Sequence, residues 1–501
     1  MNRYKGYKTT IFKILITTAC LSTMQQGWTK ILDRQNLSAT LKTLQTATPF
    51  QNNNGVLPPA GQGTFVLNHA WPTQPLPPLR NAPWQQAIGN QKITVANAPA
   101  YANALKAAVA TNGLALITKG NQFNAFAGRW YNEPWLGSQR EAIQGTYSAG
   151  EFGPGIFPGT GLRTNFTTHV LTYYDERAAA TLYNVWGPSA MKPNVTPTST
   201  QFAEGSIIVK AAVFASTDPK VPTTWWDAMA GAQKWNMMLC VPPNDKSTCP
   251  AQTPFQVWPG YVAQFDIIVK DSQSSPQTGW VFMTLVYDNR VKGDPWAQMV
   301  PLGVQWGNDP QATSDTMPLK ENWNNPAAPL YATQTLGWGG RLSGPNDGGR
   351  NDIAVDGKVI KNAPNSSCMS CHSTSQWNTT AHAMPTFLLP SLPPEKVNPN
   401  NLNFLTCDAN GKPDPSGNGP NICSPAPGST LWMKWFQNRL GNQPMDAGSV
   451  ATDFDEVFAF KSLKLWWLAV GPTTQAMPAL YRPLTSGRRF NQYTGAPLPN
   501  P

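Results

Sequence analysis

The chain has 501 residues, 41% of them hydrophobic and 13% charged, which suits a folded globular protein and argues against a disordered one. Twenty Trp and twenty Phe supply large rings for a core, while forty-eight Pro and forty Gly point to a loop-rich body with few long helices. The net charge of +10 is spread thinly, without a dense Lys/Arg stripe, so nucleic acid is not an expected partner.

Residues 1–25 read as a secretory signal. Arg3, Lys5 and Lys8 precede a short apolar stretch, interrupted by Lys13, that ends in small residues near Ala19. Export to the periplasm or the outer cell surface follows. Cys20 is a candidate lipid-anchor site, although Thr17 stands where such signals usually carry Leu. No later segment has the uninterrupted apolar length of a membrane helix, so no transmembrane span is expected.

Residues 26–125 form a Pro/Asn-rich N-terminal arm, with a helix over 101–112. A β-rich domain is expected over 126–300, where 166–176, 205–214, 261–270 and 280–288 are β-branched and aromatic with partial alternation. A helix is a candidate over 223–238. Residues 301–470 are read as a loop-rich cofactor region closing with a helix over 453–468, and 471–501 as a Pro-rich tail. The fold class expected is mainly β (α+β): an antiparallel sheet with a loop-rich cofactor-binding region and few helices.

Seven cysteines are present. Setting aside Cys20 and the 368/371 pair leaves Cys240, Cys249, Cys407 and Cys423, an even number that in an exported protein implies two disulfides. Three connectivities are open. Local pairing, 240–249 and 407–423, is favoured because both intervening segments are turn-rich. Asp408, Asn410 and Asp414 in the second loop are weighed as calcium ligands, but their spacing departs from the known oxygen-ligand loop.

Residues 368–372 read Cys-Met-Ser-Cys-His. Two cysteines three apart can form thioethers to the two haem vinyl groups, and the following imidazole then falls beneath the iron. One covalent haem c is therefore expected, held by Cys368 and Cys371 with His372 as proximal ligand. The ligand on the other face decides function. His382, Met384, Met445 and Met477 are the candidates, and Met445 is favoured because it precedes the terminal helix, as in small class I cytochromes. Trp306 and Trp338 are candidates to wall a haem crevice, Arg341 to pair with a haem propionate, and Arg140-Glu141 to form a structural ion pair.

A resemblance enters at the strands. Gln201-Phe202-Ala203-Glu204-Gly205-Ser206-Ile207-Ile208-Val209-Lys210, then Phe265-Asp266-Ile267-Ile268-Val269-Lys270-Asp271-Ser272, then Gly279-Trp280-Val281-Phe282, then Cys368 to His372, occur in one order. That order resembles the β-sheet haem c family of the lysine-cross-linked hydroxylamine-oxidising cytochromes and cytochrome c′-β. The resemblance covers about residues 201–375. It implies that Lys210 corresponds to the cross-linking lysine and Asp266 to the distal proton-relaying carboxylate, where the family carries Glu. Roughly a hundred residues separate Asp266 from the haem motif here, many more than in the family. Trp130-Tyr131-Asn132-Glu133-Pro134-Trp135 and the segments 300–310 and 336–345 resemble large bacterial monohaem cytochromes.

Three functions are consistent with these residues. The first is electron transfer with a redox partner protein. The second is an oxidoreductase or small-ligand binder with an open distal site for a small nitrogen species or peroxide, in which Asp266 and Lys210 act. The third is a structural surface protein with haem as a minor element.

Overall fold

The computed structural model describes residues 48–470, apart from 124, 126–127, 221–225, 241–253, 348–349, 356–357, 383–405, 408–412, 415–420, 423–425 and 431. The chain separates into Met1–Thr48 and Pro49–Pro501, and the strands and helices named here belong to the second unit. The expected signal with Cys20, the tail 471–501, and Cys249, Cys423, Met384 and Met477 lie outside the described residues. Cys240 is disulfide-bonded.

Nine strands make one antiparallel sheet. They are β1 (Trp130–Tyr131), β2 (Tyr147–Phe152), β3 (Phe166–Asp175), β4 (Ile207–Ser216), β5 (Lys234–Cys240), β6 (Phe255–Lys270), β7 (Trp280–Tyr287), β8 (Met299–Gln305) and β9 (Asn322–Asn324). The order is β1-β3-β4-β6-β7-β8-β9, with β2 also paired to β3 and β5 also paired to β6. Shorter ladders join β10 (Arg350–Val355) to β11 (Lys358–Pro364), and β12 (Gln376–Trp377) to β16 (Val450–Ala451). A third small ladder contains β13 (Thr406–Cys407), β14 (Pro413–Asp414) and β15 (Asn421–Ile422). The mainly β class expected from the sequence is what the chain adopts.

Helices are few: α1 (Pro83–Gln86), α2 (Ala98–Lys119), α3 (Glu176–Trp186), α4 (Leu330–Thr333), α5 (Cys368–His372) and α6 (Leu463–Val470), the last preceded by a π turn over Val457–Ser462. Among the described residues no helix is long and apolar enough to cross a membrane. The capping of α3 shows why it starts where it does. Asp175 accepts the Ala178 backbone N–H at 2.8 Å, and Glu176 adds negative charge to the first turn.

Three expectations change. The candidate helix at 223–238 is instead strand β5 from Lys234 onward, because inward Trp235 and Met237 alternate with exposed Lys234 and Asn236, a period of two. The terminal helix begins at Glu456 rather than 453, since Asp453 and Phe454 both have positive φ, 49° and 68°. The boundary expected at 300 falls inside β8, which pairs with β7, and α2 from the expected N-terminal arm is buried in the same core.

Alternation along β6 gives the sheet two different faces. Phe265, Ile267 and Val269 point one way. Phe265 meets the Trp296 ring edge-on at 5.2 Å, and that ring lies directly against Gly113 of α2. Gln264, Asp266, Ile268 and Lys270 point the other way, toward the segment that carries α5.

The contact at Gly113 reverses the usual helix rule. Gly to Ala in a helix interior ordinarily stabilises, by about 0.5–1 kcal/mol. Here the added Cβ would lie 2.4 Å from the Trp296 ring. Gly113→Ala should therefore destabilise the protein, by roughly 1–3 kcal/mol of overpacking, in chemical denaturation. A neutral or stabilising effect would show that α2 is not pressed onto Trp296.

Candidate functional site

Two rows of side chains cross the inner face of the sheet. The register pairs Thr172 with Lys210, Lys210 with Asp266, Asp266 with Thr284, and Thr284 with Gly303. Two residues along, Tyr174, Ile208, Ile268, Phe282 and Gln305 form a second row. Lys210 and Asp266 are thus direct cross-strand neighbours.

The second row holds the Cys-Met-Ser-Cys-His segment. Gln305 accepts the Met369 backbone N–H at 3.1 Å and donates to Ser367 Oγ at 3.2 Å. Ser367 caps α5 reciprocally: its Oγ accepts the Ser370 N–H at 3.1 Å, and Ser370 Oγ accepts the Ser367 N–H at 2.8 Å. Met369 is fully buried beneath. Both cysteines are half-buried and free, and the Cys368 thiol is hydrogen-bonded to Thr284 of the first row. Burial, with Asp347 and Asp266 near Cys368 and Glu456 near Cys371, holds both thiols well above the usual range, so they are protonated at neutral pH.

His372 stands over Phe282, ring centroids 4.8 Å apart. Its Nδ1 lies 2.7 Å from the Phe454 carbonyl oxygen. A carbonyl only accepts, so Nδ1 carries the proton and Nε2 of the neutral ring keeps its lone pair. Glu456 is 3.9 Å from Nε2. The segment 453–456 reaches the motif because β12, four residues beyond His372, pairs with β16, just before that segment.

Above the first row lies a charged cluster. Lys210 Nζ is 2.9 Å from Asp266 and 2.8 and 3.0 Å from the two oxygens of Asp347. Gln264 donates to both Asp266 oxygens at 2.9 Å and to Asp347 at 3.0 Å. Burial works against the Lys210 ammonium, but the two carboxylates outweigh it and hold the lysine well above its ordinary range. The aspartates divide. Burial raises Asp266 despite Lys210, whereas Asp347, also penalised by burial, is brought below the usual value by the lysine.

A second acidic group is buried nearby. Asp455 accepts from Tyr174 Oη at 2.8 Å, and burial pushes it up to about 6. Glu133, of the Trp130–Trp135 segment, accepts from Trp186 Nε1 at 2.8 Å, and burial followed by the Asp455 charge raises it well above the carboxylate range.

The structure thus brings Lys210, Asp266, Cys368, Cys371 and His372 onto one face. It adds Asp347, which the sequence reading missed: the residue sits in a turn where no periodicity marks it. Met445 is half-buried in the 441–449 turn, which Asp446 ties to Gln376 at 3.0 Å. His382 stacks on Trp467 of α6 at 3.6 Å.

Arg341 has a different role from the one expected. Its guanidinium is fully buried and donates to the carbonyls of Asn308, Trp338, Asp309 and Ala312 at 2.9–3.1 Å, between the rings of Trp338 and Phe436. Those donors pin loops and are not free for a propionate. Arg140 and Glu141 likewise turn to other partners. Glu141 gathers backbone N–H groups of Ile143, Gln144, Thr146 and Met238, while Arg140 donates to the carbonyls of Gly145 and Glu133. Adjacent residues point apart, and each found backbone groups nearer than the other. Compared with known protein families, curated proteins and solved structures, the chain matches none.

Two outcomes test this geometry. Lys210→Met leaves two carboxylates facing each other, so it should cost roughly 3–5 kcal/mol at pH 7. The loss should shrink as pH falls and a proton replaces the lysine charge, which denaturation at pH 7 and pH 5 would reveal. Asp455 is raised from 3.8 to about 6, so the folded protein binds the extra proton between those values. Its contribution is complete below pH 3.8, declines as pH rises to about 6, and levels off beyond. The stability of Asp455→Asn relative to the parent should therefore increase across that window.

Proposed function

We propose that this protein is an exported monohaem c-type cytochrome that transfers electrons. The observation that supports the reading best is the state of the motif: two free thiols on one helical turn, followed by an imidazole whose Nδ1 proton is engaged by the Phe454 carbonyl. These residues fit the group. Cys368 and Cys371 are the thioether donors, and His372 Nε2 is the ligand to iron. A haem bound there supplies a one-electron couple whose potential follows from axial ligation and burial. Phe282 packs the imidazole, and the Phe454 carbonyl sets its tautomer and basicity.

A second reading is favoured by one specific observation, the charged cluster beside Cys368. In it the protein binds a small nitrogen species or peroxide at an open coordination position, with Asp266 holding the mobile proton while Asp347 stays ionised against Lys210. The Lys210 ammonium, between two carboxylates, has no lone pair to give, which weighs against a covalent bond from it.

Expression with a working cytochrome-maturation system should add the mass of one haem, and Cys368→Ser combined with Cys371→Ser should abolish the addition. Finding the bare polypeptide mass overturns both readings. An optical spectrum separates them. A low-spin, six-coordinate ferric form indifferent to cyanide supports electron transfer, whereas a high-spin form that binds nitric oxide or cyanide rapidly supports the open site.

A further inference from the structure

The segment Asp453-Phe454-Asp455-Glu456 is held in a conformation that its sequence does not favour. Asp453 and Phe454 lie consecutively in the left-handed region, with φ of 49° and 68°. Neither is glycine, and such a pair persists only where surrounding contacts dictate it. The contacts are present. Asp453 is fully buried and receives Lys270 Nζ at 2.6 Å, Trp280 Nε1 at 2.7 Å and the Phe202 backbone N–H at 2.7 Å. Lys270 lies 5.1 Å from the Trp280 ring centroid, so cation and indole grip the same carboxylate together. On the other side, Asp455 is fixed by Tyr174. Between these two anchors the Phe454 carbonyl is turned onto His372 Nδ1.

We propose that Asp453, gripped by Lys270 and Trp280, is a positioning residue that aims the Phe454 carbonyl at His372 and so sets how strongly the imidazole donates to a metal. The inference rests on the haem reading above. Removing the grip lets Asp453 and Phe454 relax toward ordinary φ, and the carbonyl then swings off Nδ1. An imidazole without that acceptor is a poorer donor, which disfavours the ferric state and raises the reduction potential.

The test uses the haem-loaded, full-length protein. Removing one member of the Lys270–Asp453 pair would leave a buried charge and endanger folding, so the informative variant is Lys270→Met together with Asp453→Asn. Two readouts apply: the reduction potential, and solvent exchange of the His372 Nδ1 proton by NMR. The expected result is a higher potential together with exchange faster by about tenfold, the loss of one ordinary hydrogen bond. Trp280→Phe, which keeps a ring but removes the indole N–H from Asp453, should move both readouts in the same direction by a smaller amount. If the double variant folds, carries haem and shows unchanged potential and exchange, Asp453 is merely structural and the inference falls alone. If the parent protein takes up no haem, the functional reading falls and carries this inference with it.

Discussion

Two lysines on one face of the sheet cannot be buried without partners, and how they are satisfied shapes the region around the motif. Lys210 in β4 and Lys270 at the end of β6 each take a carboxylate from a distant loop, Asp347 and Asp453 respectively. One loop precedes the Cys-Met-Ser-Cys-His segment and the other follows it. Desolvating an unpaired ammonium costs several kcal/mol, so each loop is drawn onto the sheet by a charge it must meet. The motif is held between them, and Gln305 fastens it from below.

The same pairing organises the electrostatics. Asp266 and Asp347 share one lysine but have opposite tendencies, because burial dominates at Asp266 and the Lys210 charge dominates at Asp347. A proton is therefore held more readily at Asp266, on the strand, than at Asp347, on the loop. At the other end, Asp455 and Glu133 are buried without a cation of their own close enough to offset desolvation, and both are displaced upward. The face behind the motif thus contains both a paired and an unpaired acidic group. Charge at a metal held by His372 would act on each differently.

Much of the sheet was legible in the chain. The segments around 166–176, 205–214, 261–270 and 280–288 are strands because β-branched and aromatic residues recur there in runs of the right length. Lys210 and Asp266 could be nominated but not paired. Their adjacency depends on the register between β4 and β6, and shifting it by one residue would turn one of them to the other face. Arg341 shows the opposite failure. A lone arginine among glycines and tryptophans invites a ligand role, and only the positions of four carbonyls from the 308–312 and 338 loops reveal that its donors are occupied.

By itself the sequence determined the chemistry available: two thiols and an imidazole at fixed spacing, and an alternating strand pattern that separates an apolar face from a polar one. These are local properties, set by covalent neighbours and by the two-residue period of a strand. Tertiary structure alone decided which groups meet: Asp347 with Lys210, Asp453 with Lys270, and the Phe454 carbonyl with His372, 82 residues away. Contacts over such separations follow from satisfying buried charge and backbone in three dimensions, and no short window of sequence records them.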